Sequence, residues 1–491
     1  MDRQSMLREI YQVIDGGPYH DHWDSLGKHP LASWYPKAKF GIFIHWGVYS
    51  VPAHANEWYP RNMYNQGTPE FDHHVKTYGP QNKFGYKDFI PMFTGEKFDA
   101  DAWADLFVRA GAKYVTPVAE HHDGFQMYKS SLSHWNAFEM GPKRDVLGEL
   151  SAAFDKRGII PCASSHRVEH WFYLGHGKEF DSDIKDPLTP EDIYWPSMPE
   201  AHHQDIHSKP TPTKEFLEDW LLRTCELVRE YQPRMIYFDW WIQHESMKPY
   251  LKQFAAYYYN LAAKRGQEVA ITYKFDAFPM GCAVPDVERG QFEKAMPFFW
   301  QSDTSVAINS WGYTTQNQYK KAGDILCDLM DVISKNGALM LNIGPKADGT
   351  IPKEDEELLI AIGDWLKING EAVYQTQPWR LFGEGPTKVK EGHFTDAQEK
   401  GFTPEDIRFT HRGGSLYATI MKRPKDGHAV IKTLHKWEVE HQNLSFNGMI
   451  KAVTVLGESE AASYEQREDG LHVYFSQKEC ELPVVMKIVL E

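Results

Sequence analysis

Short apolar runs in this chain end repeatedly on a histidine, an aspartate or a tryptophan. Phe40-Gly41-Ile42-Phe43-Ile44 stops at His45-Trp46, and Tyr114-Val115-Thr116-Pro117-Val118 runs into Glu120-His121-His122-Asp123. Met235-Ile236-Tyr237-Phe238 stops at Asp239-Trp240-Trp241. Runs this short, bounded by helical stretches, read as strands buried on both faces of a parallel sheet. When such strands close into a barrel they all end at one rim, where functional groups collect. The pattern therefore predicts a single pocket ringed by carboxylates, imidazoles and indoles.

Helix-length stretches separate the runs. Phe98-Asp99-Ala100 opens one that places Ala102, Trp103, Leu106 and Phe107 on one face, closed by Gly111. A second begins near Asp145 and carries Val146, Leu150 and Phe154 before Gly158; a third, over 214–231, carries Leu217, Leu221 and Leu227. Further strands are expected over 159–162, 269–272 and 339–343. Strand, helix, strand in series implies parallel pairing with right-handed crossovers. The expected class is α/β, a (β/α) TIM-like barrel in which some helices are irregular or missing. The clearest helix runs over 353–367, with Pro352 and three acidic residues at its start and Gly370 at its end. Beyond Trp379 the period changes to two: Leu416-Ala418-Ile420, Leu471-Val473-Phe475 and Val484-Met486-Ile488-Leu490 alternate between turn residues. A catalytic barrel over 1–379 followed by a C-terminal antiparallel β-sandwich over 380–491 is the expected organisation.

The totals narrow the partners. A formal charge of −15 disfavours nucleic acid and anionic membrane surfaces, both of which need clustered Lys and Arg. Five scattered cysteines with no CxxC pair give neither a disulfide framework nor a structural zinc site. No long apolar segment follows the N-terminus, so neither a secretory signal nor a membrane helix is expected, and a cytoplasmic bacterial-type enzyme fits. Sixteen Trp and 25 Tyr are a generous aromatic supply; a barrel core accounts for more than half of them, and the rest suit a ligand with flat C–H faces, such as a sugar. The totals are as compatible with a homo-oligomer as with a monomer.

Among candidate residues, Asp239 stands one step past a buried strand, where a carboxylate is costly unless paired or used. An N-cap or a strand-end ion pair would be the ordinary explanation. Glu288, in Pro285-Asp286-Val287-Glu288-Arg289-Gly290, stands at a later strand-to-loop junction, where Glu beside Arg is usually a surface pair. The histidines strengthen both: His121 and His122 follow a strand directly, and with His45 and Glu57-Trp58-Tyr59 they make a ring that a core would not choose. His45, His121, His122 and Asp239 also invite a zinc reading. No HxH or HExxH spacing supports it, and tryptophans occupy the places where second-layer acceptors are expected. No metal and no cofactor is expected; GxGxxG, Walker and GxSxG motifs are all missing. Asn342-Ile343-Gly344-Pro345 reads as architecture.

At these residues the chain resembles the α-L-fucosidases of glycoside hydrolase family 29. The strings that carry the resemblance are Lys39 to Gly47, Asn56-Glu57-Trp58-Tyr59, Glu120 to Phe125, Lys143-Arg144-Asp145, Ser310-Trp311-Gly312-Tyr313, Asn336 to Pro345 and Asn369-Gly370-Glu371. They span most of the barrel, from Trp34 to about Trp379. The resemblance implies a fucosylated oligosaccharide or glycoconjugate as substrate and a retaining mechanism through a covalent fucosyl-enzyme. That mechanism needs two carboxyl groups about 5–5.5 Å apart. By the same resemblance, Asp239 is the nucleophile, and His45, Glu57, Trp58, His121, His122 and Tyr237 are sugar contacts. Glu288 is the best match for the acid/base, with Glu293 and Glu245 as fallbacks. Two departures stand out. His166 in Ser165-His166-Arg167 replaces a tyrosine that faces the nucleophile in many relatives, and Lys274 in Tyr273-Lys274-Phe275 stands where many carry Arg. The rival readings are a fucose-binding barrel without hydrolysis and a metal-dependent barrel hydrolase. Residues 179–212, rich in Asp, Pro and His, are expected to form a long rim loop.

Overall fold

The computed structural model describes all residues except 1–2, 203–204, 397–400, 439–441, 460–461 and 478–479. The barrel strands are β1 (Phe40–Ile44), β2 (Tyr114–Glu120), β3 (Ile160–Pro161), β4 (Ala163–Ser165), β5 (Met235–Phe238), β6 (Ala270–Tyr273), β7 (Val284–Glu288), β8 (Trp300–Ser305) and β9 (Gly337–Ile343). All pair in parallel, and β1 bonds both β9 and β2, which closes the ring. Strands β3 and β4 are two halves of one barrel position, both paired to β2 and parted by Cys162. The barrel therefore has eight positions, as its sequence implied.

Its helices start where side chains cap them. Asp99 accepts from Ala102 N at the head of Ala100–Arg109, Asp145 from Gly148 N at Val146–Asp155, and Thr213 from Phe216 N at Lys214–Glu230. Each such cap satisfies an otherwise orphaned N–H and contributes on the order of 1 kcal/mol. Two crossovers, β6 to β7 and β7 to β8, contain no helix. Residues 179–212 form no helix or strand among those described. No helix is long and apolar enough to cross a membrane among the described residues.

Alternation along each strand decides what faces the axis. Phe43, Val118, Met235, Tyr237, Ala270, Val284, Ala338 and Met340 pack with Tyr35 and Phe299 as the interior of the barrel. Two positions on from Phe43, Tyr237, Ala270, Val284 and Met340, on the same faces, are His45, Asp239, Thr272, Asp286 and Asn342, and Lys274 and Glu288 follow by the same step. After Val118 the register shifts, and Glu120 pairs with Arg167 and Arg223 instead. The outward residues of β1 and β5, such as Ile42 and Phe238, pack under the helices. Interior packing thus sets the height of the polar ring above it.

Beyond the helix Lys353–Asn369 come β10 (Gln377–Glu384), β11 (Ile407–Arg412), β12 (Ser415–Ile420), β13 (His428–Ile431), β14 (Ile450–Val455), β15 (Ser463–Arg467), β16 (Gly470–Tyr474) and β17 (Val484–Leu490). They form two antiparallel sheets, ordered β10-β11-β12-β17-β14 and β13-β16-β15, around a shared apolar core. Buried Arg408 and Lys335 both pair with Asp331 where this unit meets the barrel.

Candidate active site

Asp239 closes β5 and is 8% exposed. Its Oδ2 accepts from Nδ1 of His166, the residue just past β4, at 2.8 Å, and His122 Nε2 lies 3.5 Å from the same oxygen. An ionised acceptor fixes the His166 proton on Nδ1, so Nε2 accepts from Ser164 Oγ at 2.9 Å. Burial pushes the Asp239 carboxyl up, but the imidazoles of His166 and His122 and the Lys274 ammonium outweigh it. The net result holds Asp239 well below the usual carboxylate range. His166 is itself held in place by its neighbour: Arg167 pairs with Glu120 at 2.7 Å and with Asp219 at 2.7 Å, all three buried.

Glu288 closes β7 and is 6% exposed. Trp240 Nε1 donates to its Oε2, so the residue next to Asp239 reaches across to the second carboxylate. Lys274 Nζ stands 3.4 Å from Glu288 Oε2, 2.5 Å from Asp286 Oδ2 and 3.3 Å from Asp303 Oδ2. Tyr237 Oη donates to Asp303 at 2.6 Å, beneath Lys274. Burial raises the Glu288 carboxyl; Lys274 opposes this, Asp239 and Asp303 add to it, and the group is pushed up to about 8.

The other predicted residues complete the ring. His45 Nδ1 is bonded to Asn342 Oδ1 at 2.7 Å, and the His45 ring lies 5.2 Å from Trp311, 5.6 Å from His121 and 5.4 Å from His166. Burial lowers the pKa of His45 and of His121 far enough to keep both neutral, and holds His122 at about 3. Glu57 Oε2 accepts from Trp311 N at 2.8 Å and Ser310 Oγ at 3.1 Å. Trp58 lies 5.6 Å from both His122 and Tyr173. Tyr59, by contrast, turns away to His73. The fallback carboxylates stand elsewhere: Glu293 is exposed, and Glu245 pairs with His207 on the surface.

Several buried polar atoms at these residues have no hydrogen-bond partner, among them Tyr49 Oη, His121 Nδ1, Glu169 Oε2 and, below the ring, Asp303 Oδ1. The Tyr49 ring is 4.7 Å from His121, and Glu169 Oε2 is 3.4 Å from His122 Nδ1. Buried polar atoms in native proteins are otherwise almost always paired, so a cluster of exceptions marks a place prepared for a polar ligand. Among the described residues, two sets of side chains have ligand-type atoms within 4.8 Å of one another: His45 with His121 and His166, and His122 with His166 and Asp239. Both run through His166, whose two ring nitrogens are already engaged by Asp239 and Ser164. The residues fit a bonded cradle better than a metal set.

Sequence reasoning passed over several residues at this site. Trp240 and Trp311 stood inside strings it quoted but received no role. Asp286 likewise lies in the string around Glu288 without a role, and Tyr49, Glu169 and Asp303 carry no local signal. Asn342, read as architecture, holds His45.

Comparison with known proteins agrees with this geometry. The family model described as Alpha-L-fucosidase matches residues 7–371. Rat tissue alpha-L-fucosidase is 32% identical over 421 residues, covering 83% of this chain and 80% of the relative. Human plasma alpha-L-fucosidase is 33% identical over 414 residues, covering 82% and 79%. The crystal structure of Thermotoga maritima alpha-fucosidase superposes with a TM-score of 0.73 at 30% identity, covering 96% of this chain and 100% of that one. With a barrel, a cradle and relatives all in accord, the chain belongs to the alpha-L-fucosidase family of glycoside hydrolases.

Proposed function

We propose that this chain is a retaining α-L-fucosidase that removes terminal α-linked L-fucose from oligosaccharides or glycoconjugates. The observation that carries the reading is the split between two buried carboxylates on one rim. Asp239 is held ionised by the His166 donor and the neighbouring Lys274 ammonium, while Glu288 holds its proton near neutral pH. A retaining glycosidase needs this division of labour.

In the first step an Asp239 oxygen attacks the anomeric carbon as the bond from that carbon to the leaving oxygen breaks. Glu288 gives its proton to the leaving oxygen. In the second step the Glu288 carboxylate takes a proton from water, the water oxygen attacks the same carbon, and the ester to Asp239 breaks. Fucose departs with its original anomeric configuration, and both carboxyl groups return to their starting states. His45, Glu57, His121 and His122 hold the sugar hydroxyls, joined by the unpartnered atoms of Tyr49 and Glu169. Trp58 and Trp311 offer apolar surface to the methyl group. Tyr237 and Lys274 act from below: Lys274 stabilises the charge that Glu288 acquires once its proton has left.

Incubation with 2-deoxy-2-fluoro-α-L-fucosyl fluoride, followed by peptic digestion and mass spectrometry, tests the assignment. The expected result is a single fluorofucosyl adduct on the peptide containing Asp239. A label on another peptide overturns the nucleophile. No label, with fucose still bound, would favour a fucose-binding barrel without hydrolysis.

A further inference from the structure

The wall of the mouth beside Glu288 is not built by the barrel alone. The segment that follows β10 crosses onto the loop after β7 and is bonded to it by backbone. Gly392 N donates to Gln291 O at 3.1 Å, Phe394 N to Glu288 O at 2.9 Å, and Thr395 N and Asp396 N to Arg289 O at 2.7 and 3.0 Å. The approach is close enough that a Cβ on Gly290 would lie 1.8 Å from Gly392 O. Asp396, whose side chain is largely covered, then pairs with Arg289 and Lys320. This docking occurs where the two crossovers without helices leave the barrel uncovered.

Two side chains are delivered to the acid/base by this means. His393 Nδ1 accepts the backbone N–H of Glu288 at 3.0 Å. Phe394 stacks on Trp240 with ring centroids 5.8 Å apart and planes 12° from parallel, and Phe275 meets the same indole at 4.4 Å. Trp240 is the residue that donates to Glu288. Phe394 is nevertheless 57% exposed and Phe275 44%. Both, like Arg289 between them, hold positive φ, of 54°, 48° and 45°. Bulky residues rarely adopt that conformation. Apolar rings held in disfavoured backbone geometry and left in water belong to a site rather than to a core.

Resting on the fucosidase reading, we infer that Phe394 and Phe275, flanking Trp240, form the platform on which the leaving group's pyranose ring lies, so the C-terminal unit selects the aglycone. The position of the acid/base favours this surface. The leaving oxygen must reach the Glu288 carboxyl, and the indole bonded to that carboxyl carries both exposed rings. Flat apolar faces suit the C–H face of a sugar ring. Trp240 and Phe275 lie within residues 7–371, over which the family model matches, and Phe394 lies beyond them, so the C-terminal part of the chain contributes one of the three rings.

The test compares two substrates in the full-length protein. One is α-L-fucosyl fluoride, whose leaving group has no ring. The other is the best cleaved of a panel of fucosyl disaccharides with α1,2, α1,3, α1,4 and α1,6 linkages. Phe394→Ala is expected to lower the ratio of disaccharide to fluoride kcat/KM about tenfold, and Phe394→Tyr to restore it. A ratio that does not move, or a Phe394→Tyr ratio as low as that of Phe394→Ala, overturns the inference. If the unaltered protein fails on the fluoride as well, the fucosidase reading itself is lost, and that outcome is separate from the ratio.

Discussion

The two sides of the rim treat the same functional group in opposite ways. Around Asp239, on β4 and β5, the ionised carboxylate stands among the imidazoles of His166 and His122, with His45 and His121 close by. The other carboxyl group on this side, Glu169 beside His122, is pushed up by burial and by Asp239. Around Glu288, on β6 to β8, three carboxylates (Asp286, Glu288 and Asp303) compete for the single ammonium of Lys274. One cation cannot neutralise three buried anions, so protons are retained: Asp286 is pushed up to about 7, by burial and by Asp303, and Glu288 to about 8. Asp239 keeps the His166 donor and the field of Lys274, and stays ionised. Acid and nucleophile are therefore assigned by the balance of neighbours, not by residue type.

Removing the ionised member should have the largest effect. Asp239→Gly is expected to reduce kcat on an aryl fucoside by about four orders of magnitude, roughly 5–6 kcal/mol at 1.36 kcal/mol per tenfold. Added azide should restore part of the turnover and yield the fucosyl azide of inverted configuration, identified by NMR. Activity within tenfold of the unaltered enzyme would place the nucleophile elsewhere.

Removing the protonated member should cost less and depend on the leaving group. Glu288→Gln is expected to lower kcat/KM by about 10²–10⁴ on a fucosyl disaccharide, the usual contribution of general acid catalysis, and by less on a nitrophenyl fucoside. The pH profile sharpens this. Turnover needs Glu288 protonated, so kcat/KM should fall as pH rises past about 8, and that alkaline limb should vanish in the Gln variant. The limb belongs to the coupled pair, so its position reports both groups. A limb that persists in Glu288→Gln would exclude Glu288 as its source.

The contrast between the two sides also explains what the chain disclosed beforehand. Strands β1, β5 and β9 were legible because most of their inward and outward positions are apolar until the final residue. Strand β8, Trp300-Gln301-Ser302-Asp303-Thr304-Ser305, never forms an apolar run, although it is buried throughout. Its inward Gln301 donates to Asp286 at 2.7 Å and accepts from Tyr114 at 3.1 Å, and Asp303 serves Lys274 and Tyr237. Hydrophobic periodicity cannot register a strand whose buried partners are polar. Asp239 and the histidines were found because each follows a run at once. His393 and Phe394 were not, because only the return of the C-terminal segment brings them to Glu288. Lys274 and His166 were placed through the family resemblance, and the geometry gives each a carboxylate to act on.

The smallest expected effect tests whether the imidazoles, rather than Lys274 alone, keep Asp239 ionised. His166→Phe preserves a ring of similar size but deletes the 2.8 Å donor. One hydrogen bond to a charged group contributes about 1.5–3 kcal/mol, so kcat/KM at neutral pH should fall about 10- to 150-fold. The sign of the pH effect follows from the same bond. A donor to the carboxylate depresses its pKa, so losing that donor raises it, and the acid limb of the profile should move to higher pH while the alkaline limb changes less. Stability should follow the same direction: the part that Asp239 contributes by staying ionised is lost as pH falls, and in the variant that loss should begin at higher pH. If activity drops with the acid limb unmoved, His166 acts on the sugar and not on the carboxylate, and the division between the two sides must rest on His122 and Lys274.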